Sequence, residues 1–191
     1  MTPNGLADAV VDNHFVLPYE NMMEFTDFLK ALKESSVSDQ NGNSFDPVYY
    51  LQSQNDNLRK DATLLPFLEK IPKEIDFVSS SLGRSPDAVN LWIGNHRSTT
   101  TLHRDQYQNI YYVAFGTKVF TLIPPTDSFH LTEGLFPTVR YKPNGLKENS
   151  WTVEPVGFTT PWIKDYKNYP NKPLVVRVKA GQSLYIPACC N

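Results

Sequence analysis

The chain has 191 residues, with 18 basic against 20 acidic side chains and a formal net charge of −2, so it has the length for one well-packed domain and too little for two ordinary ones. That balance leaves no basic footprint for a polyanion, and neither nucleic acid nor a membrane is expected as a partner. The only cysteines, Cys189 and Cys190, are neighbours that cannot staple distant elements, and the start has neither a basic n-region nor an apolar core, so a soluble protein of cytoplasm or nucleus is expected.

In chain order, the first periodic segment is ENMMEFTDFLKALKES. Phe25, Phe28, Leu29 and Leu32 stand at helical spacing there, which predicts an amphipathic helix over Glu20 to Glu34 with its stripe packed in the core. The polar run SSVSDQNGNS, from Ser35 to Ser44, reads as a loop. PVYYLQSQ alternates like a strand. Between Asp56 and Ser85, Pro66 and Pro72 interrupt the Leu/Phe pairs and allow only short helical turns.

From Ala88 the texture changes to AVNLWIG, TTTLH, NIYYVAF, KVFTLIPP, LFPTVRY, WTVEPV, LVVRVKA and SLYIPA, all short and rich in β-branched or aromatic residues. Gly94, Gly116, Asn144-Gly145 and Gly181 sit in or beside the breaks. With aromatics at 13% and 15 prolines, this pattern predicts a sandwich or barrel with antiparallel pairing.

Within TTTLHRDQYQN, His103 and Asp105 occupy positions i and i+2, which on a strand share a face and offer one nitrogen and one oxygen donor, two corners of a metal site. The spacing alone is a weak signal. Lys118 follows Gly116-Thr117 and, by itself, reads as a solvated hairpin residue. Tyr111 and Tyr112 alternate faces, one toward the core and one toward a pocket. Trp92 by itself reads as a packed core residue and Asn109 as a turn residue, while His14, His96 and His130 read as surface or loop histidines with no metal role.

The stretch DAVNLWIGNHRSTTTLHRDQYQNIYYVAFGTKVFTLIPPTD, with GQSLYIPA near the end, resembles the JmjC-domain 2-oxoglutarate oxygenases of the cupin superfamily, nearest to its lysyl hydroxylases. The likeness extends to VYYLQSQNDNL, FVSSSLGRSPDAVNLWIG and TPNGLADAV, so it covers nearly the whole chain. It implies one JmjC/cupin-like domain over 1–191. The implied fold is mainly β, a double-stranded β-helix (jelly roll) with a few flanking helices, incomplete at both ends.

The resemblance further implies that His103 and Asp105 ligate Fe(II). Lys118 would pair with the distal carboxylate of 2-oxoglutarate, with Thr100, Tyr111 and Asn109 also binding the co-substrate, and Tyr50 and Trp92 would belong to the substrate pocket. The implied reaction uses O2 to hydroxylate C3 of a lysine in a protein substrate, a translation-linked GTPase of the developmentally regulated GTP-binding class. The oligomeric state is left open.

In the family, the segment after LYIPA leads through aromatic residues to a second ligand histidine, whereas this sequence reads LYIPACCN. The third metal ligand is therefore not found in the sequence, which predicts weakened iron binding and keeps a second reading open, an inactive cupin-like peptide-binding module or splice fragment. The cysteine thiolates near that position suit zinc better than ferrous iron. Arg104 and the run from Ser35 to Ser44 are further candidates for influencing substrate choice.

Overall fold

The computed structural model describes residues 1–40, 47–144 and 150–191, with 37–40 as backbone only. The chain forms two compact units. The first holds Met1, Pro3–Gly5 and Asn21–Ser98, and the second holds Thr2, Leu6–Glu20 and Thr99–Asn191.

In chain order, the second unit contributes strands β1 (Leu6–Ala7), β2 (Ala9–Val11) and β3 (His14–Leu17). The first unit follows with helix α1 (Phe25–Gln40), strand β4 (Tyr50–Ser53), the short helices α2 (Asn57–Lys60) and α3 (Asp76–Leu82), and strand β5 (Leu91–Gly94). The second unit resumes with β6 (Thr99–Thr100), β7 (Asn109–Tyr112), β8 (Thr117–Leu122), β9 (Thr132–Pro143), β10 (Trp151–Asp165), β11 (Leu174–Lys179) and β12 (Ser183–Ile186).

In the first unit the helix is displaced from its expected bounds. It begins at Phe25, where the carbonyl of Glu24 takes the N–H groups of Asp27 and Phe28, both at 3.0 Å. Met22 is 95% exposed, so the segment before Phe25 gains little burial from being helical. The helix then continues through Gln40, so the expected loop is helical from Ser35, while 41–44 fall outside the described residues.

The serines are tolerated because their hydroxyls return to the chain. Ser35 and Ser36 both donate to the carbonyl of Leu32, and buried Ser35 also accepts from the Asn95 amide at 2.9 Å. The apolar stripe is buried only in part: Phe28 is enclosed and Phe25 meets Phe67 edge-on at 5.1 Å, but Leu29 stays exposed.

In the second unit β7 pairs antiparallel with β12 and β8 with β11. Between these pairs the two chain segments remain bonded through Val113 and Gly181–Gln182 and through Gly116 and Ala180, at 2.8–3.1 Å. β7–β8 and β11–β12 therefore form one antiparallel ribbon bent at a corner, the building unit of a jelly roll. At the corner Gly116 and Gly181 take φ +77° and +82°, left-handed conformations that side chains resist.

A second ribbon comes from the long hairpin of β9 and β10. Its register shifts between Pro155 and Thr159, where a proline without an N–H and Gly157 at φ +96° make a bulge. β3 adds to β9 in parallel and β1 to β6 in parallel, so the pairing is not wholly antiparallel. Core clusters form around Val16, Val139 and Tyr141 and around Ile123, Leu131 and Ile163. The protein is mainly β with a few helices, and no helix among the described residues is long and apolar enough to cross a membrane.

β1 to β3 were not expected. Their short runs are interrupted by Asp8, Asp12 and Asn13 at φ 53°, 47° and 60°. Asp12 and Asn13 make a two-residue turn that pairs Val11 with His14, which requires positive φ at both central positions.

Candidate active site

β8 alternates Thr117, Val119 and Thr121 outward with Lys118, Phe120 and Leu122 inward, and Lys118 stands opposite Val178, which is 3% exposed. A charged group thus replaces an apolar one on an inward stripe. Burial lowers the Lys118 ammonium below its ordinary pKa. The solvated-hairpin reading of Lys118 does not hold for a side chain in this position.

On β7, Asn109 and Tyr111 share the other inward face, and the Tyr111 ring meets Phe120 edge-on at 4.9 Å. Tyr112 points outward and is exposed. Lys118, Tyr111 and Asn109 are thus on the inner side of the bent ribbon, whereas Thr100, on β6, is exposed.

His103 and Asp105 are not on a strand. They lie in the irregular segment between β6 and β7, yet the turn brings their side chains together, with His103 Nε2 at 3.8 Å from Asp105 Oδ2. The proton of His103 is fixed by a second contact. Nδ1 lies 2.8 Å from the carbonyl oxygen of Thr101, which only accepts, so Nδ1 carries hydrogen and in the neutral ring Nε2 presents its lone pair to the carboxylate.

Two lone pairs facing across that gap repel unless a cation lies between them, so both donors fit one divalent ion. Asp105 Oδ2 accepts from the Asn109 amide at 3.2 Å, which sets the carboxylate plane, and Oδ1 accepts nothing among the described residues. Among those residues no group of three His, Cys, Asp or Glu side chains is arranged to hold a metal, and His103 and Asp105 stand as a pair.

The imidazole is steadied from behind. Trp162 on β10 stacks on it with centroids 6.1 Å apart and planes within 14°, and its Nε1 donates to Thr101 Oγ1 at 3.2 Å. Thr101 Oγ1 in turn donates to the backbone carbonyl of Asp8 at 2.5 Å, and Phe15 packs on Trp162 at 4.7 Å. Burial raises the Asp8 carboxyl above the ordinary carboxylate range.

Beside His103 lies a cavity of about 460 Å³. Its floor is the β9–β10 ribbon at the pairs Glu133–Ile163, Gly134–Trp162 and Leu135–Pro161, and its rim carries Arg104 and Gln106. Gly134 stands opposite Trp162, and the Phe136 ring fills the space a side chain there would need, 2.9 Å from a built Cβ. A site of this size, lined by His103 but not by Asp105, Asn109, Tyr111 or Lys118, accommodates a chelating acid or the end of a substrate side chain.

The sequence reading missed Trp162, Thr101 and Glu133. Thr101 acts at His103 through its carbonyl, which leaves no sequence signal. Trp162 falls in the half of β10 that lies beyond the recognised run WTVEPV.

Tyr50 and Trp92 lie in the first unit, on the facing strands β4 and β5. They share one face of that strand pair, where the Tyr50 ring occupies the space a side chain at Gly94 would need, 2.6 Å from a built Cβ. His14 and His96 are exposed, and His130 packs against Phe129 and Tyr169.

The model of the cupin-like domain matches residues 1–190. Among curated proteins, the chain is 34% identical to the human (Homo sapiens) bifunctional peptidase and (3S)-lysyl hydroxylase JMJD7, over 98% of this chain and 60% of that protein. It is 32% identical to JmjC domain-containing protein E of Dictyostelium discoideum, with coverage of 98% and 60%. It is 31% identical to lysine-specific demethylase JMJ32 of Arabidopsis thaliana, with coverage of 98% and 58%. The chain spans about 60% of the length of these relatives. With a bent antiparallel ribbon of jelly-roll type and a match over nearly its whole length, the chain belongs to the cupin-like domain family, among JmjC-domain relatives.

Proposed function

We propose that this chain carries the metal and co-substrate site of an Fe(II)- and 2-oxoglutarate-dependent oxygenase acting on a protein side chain, specifically a lysine at C3. The observation that carries this reading is His103 Nε2 facing the Asp105 carboxylate across 3.8 Å, with Nδ1 engaged by the Thr101 carbonyl, beside an open cavity. A lysyl hydroxylase and a lysine-specific demethylase among the similar proteins support a lysine substrate. A GTP-binding protein as the partner, and cytoplasm or nucleus as the location, belong to the same proposal.

When bound, ferrous iron and 2-oxoglutarate supply with O2 the oxidising power that turns a substrate C–H into C–OH, while 2-oxoglutarate leaves as succinate and CO2. The chain's own groups bind and orient. His103 and Asp105 hold the ion, and the Thr101 carbonyl and the Asn109 amide fix the ring tautomer and the carboxylate plane. Lys118 offers an ammonium on the inner face to the distal carboxylate of the co-substrate, and Tyr111 shares that interior.

A second reading, a non-catalytic peptide-binding module, is favoured by the two-ligand metal set among the described residues. The test is succinate formation from 2-oxoglutarate by the chain with ferrous iron, compared with His103→Ala. Turnover that disappears in the variant supports the oxygenase. Absent turnover with retained binding of a lysine-containing peptide selects the module.

A further inference from the structure

Arg104 stands between the two candidate ligands, in a segment that no strand partner holds. Its guanidinium reaches two anchors. Nη2 donates to Glu133 Oε1 on β9 at 2.5 Å, and Nε donates to Asn191 Oδ1 at 3.0 Å. Asn191 is itself fixed, 5% exposed and bonded in both directions to the backbone of fully buried Ile123, at 2.7 and 3.0 Å. The backbone carbonyl of the next residue, Asp105, accepts the Cys189 N–H at 2.7 Å.

The His103–Asp105 turn is thus tied to the floor of the cavity and to the end of β8 through the residue between the ligands. We infer that Arg104, clamped by Glu133, is a positioning residue for the metal pair, holding the turn so that His103 and Asp105 converge on one ion. The inference rests on the metal-site reading proposed above.

Energetics separate this role from ordinary stabilisation. Arg104 and Glu133 side chains are 32% and 50% exposed, and an ion pair that open contributes little to folding. Misplacing a ligand by a fraction of an ångström, in contrast, weakens a metal site directly, as loss of an outer contact does by roughly 10–100-fold. Arg also fits this place better than Lys, because only a planar fork serves two acceptors in fixed directions.

The experiment is Mn(II) titration, by calorimetry, of the wild type, His103→Ala, Arg104→Gln, Glu133→Gln and the Arg104→Gln/Glu133→Gln double variant, with melting temperatures of all five. The expected result is Mn(II) binding that needs His103 and weakens about tenfold in each of the two single clamp variants. The double variant should lose no more than either single one, and the melting temperatures should stay within about 2 °C of the wild type. If Arg104→Gln fails to fold, Glu133→Gln, which removes only the surface partner on β9, carries the same comparison.

Wild-type affinity in the folded clamp variants, or losses that simply multiply in the double variant, would overturn the clamp and leave the metal site standing. Absence of His103-dependent Mn(II) binding in the wild type would overturn the parent reading and the clamp with it.

Discussion

Two aspartates, one in each unit, show how differently a carboxylate can be used. Asp56 is 6% exposed, and its oxygens take Arg59 Nε at 2.5 Å, Lys60 Nζ at 3.5 Å and the Val89 N–H at 2.8 Å. The hydrogen bond from Arg59, above all, lowers its pKa to about 2, against the opposing effect of burial. Asp105 receives one amide hydrogen, faces His103 Nε2 at 3.8 Å, and has an oxygen with no donor among the described residues. The first carboxylate is saturated by its own chain and joins α2 to the segment around Val89. The second is oriented and left with capacity for a ligand.

That contrast can be broken by removing each group in turn. Asp105→Ala should cost at least about 100-fold in Mn(II) affinity, more than a lost outer contact would, while the melting temperature barely moves. Asp56→Ala should do the reverse. It leaves Arg59 without its carboxylate and the Val89 N–H without its acceptor, and should lower stability by about 2 kcal/mol, read from urea unfolding.

The acid limb sharpens the comparison. Because folding depresses the Asp56 pKa, its contribution is complete above the unfolded-state value near 3.8 and is lost as the pH falls toward about 2. Asp56→Ala should therefore flatten the loss of stability in that window. A steep limb retained by the variant would mean that other carboxylates carry it.

The smallest expected effect is at Lys118. Burial disfavours its charged form, so Lys118→Met should leave the melting temperature nearly unchanged while removing the 2-oxoglutarate binding proposed above. The lowered pKa means that the folded chain releases this proton first. Wild-type stability should thus rise with pH between the folded pKa and the ordinary 10.5, a rise that Lys118→Met lacks. Loss of stability in the variant would show that the Lys118 contacts outweigh its burial.

The fold was legible where local pattern and tertiary demand agree. The runs from AVNLWIG to SLYIPA all contain strands, because β-branched alternation suits a half-buried ribbon and glycines mark its corner. The exceptions have physical causes. The serines after Glu34 look like a loop by composition, but hydroxyl bonds to Leu32 and burial of Ser35 keep them helical. β1 to β3 are too short for periodicity to show, and they depend on left-handed Asp and Asn residues and on a parallel partner far away in sequence.

In the site, the His103-x-Asp105 spacing was readable, but the expected reason, alternation on a strand, was not the operative one. A turn fixed by backbone carbonyls brings the pair together. Lys118 is unusual for its side of the strand, which the sequence alone assigned to solvent. The stacking of Trp162 on His103 joins residues 59 positions apart, and only the register of β9 with β10 places it there.

The most direct test of the account is the tautomer of His103, read by nitrogen-15 NMR of the imidazole at a pH of about 8, above the ordinary imidazole pKa of about 6.5, before and after adding Zn(II) as a diamagnetic probe. The account predicts a ring protonated at Nδ1 alone, with an Nε2 resonance that shifts on adding Zn(II) and does not shift in Asp105→Ala. A proton on Nε2, or a resonance indifferent to the metal, would mean that His103 and Asp105 are partners to each other and not to an ion.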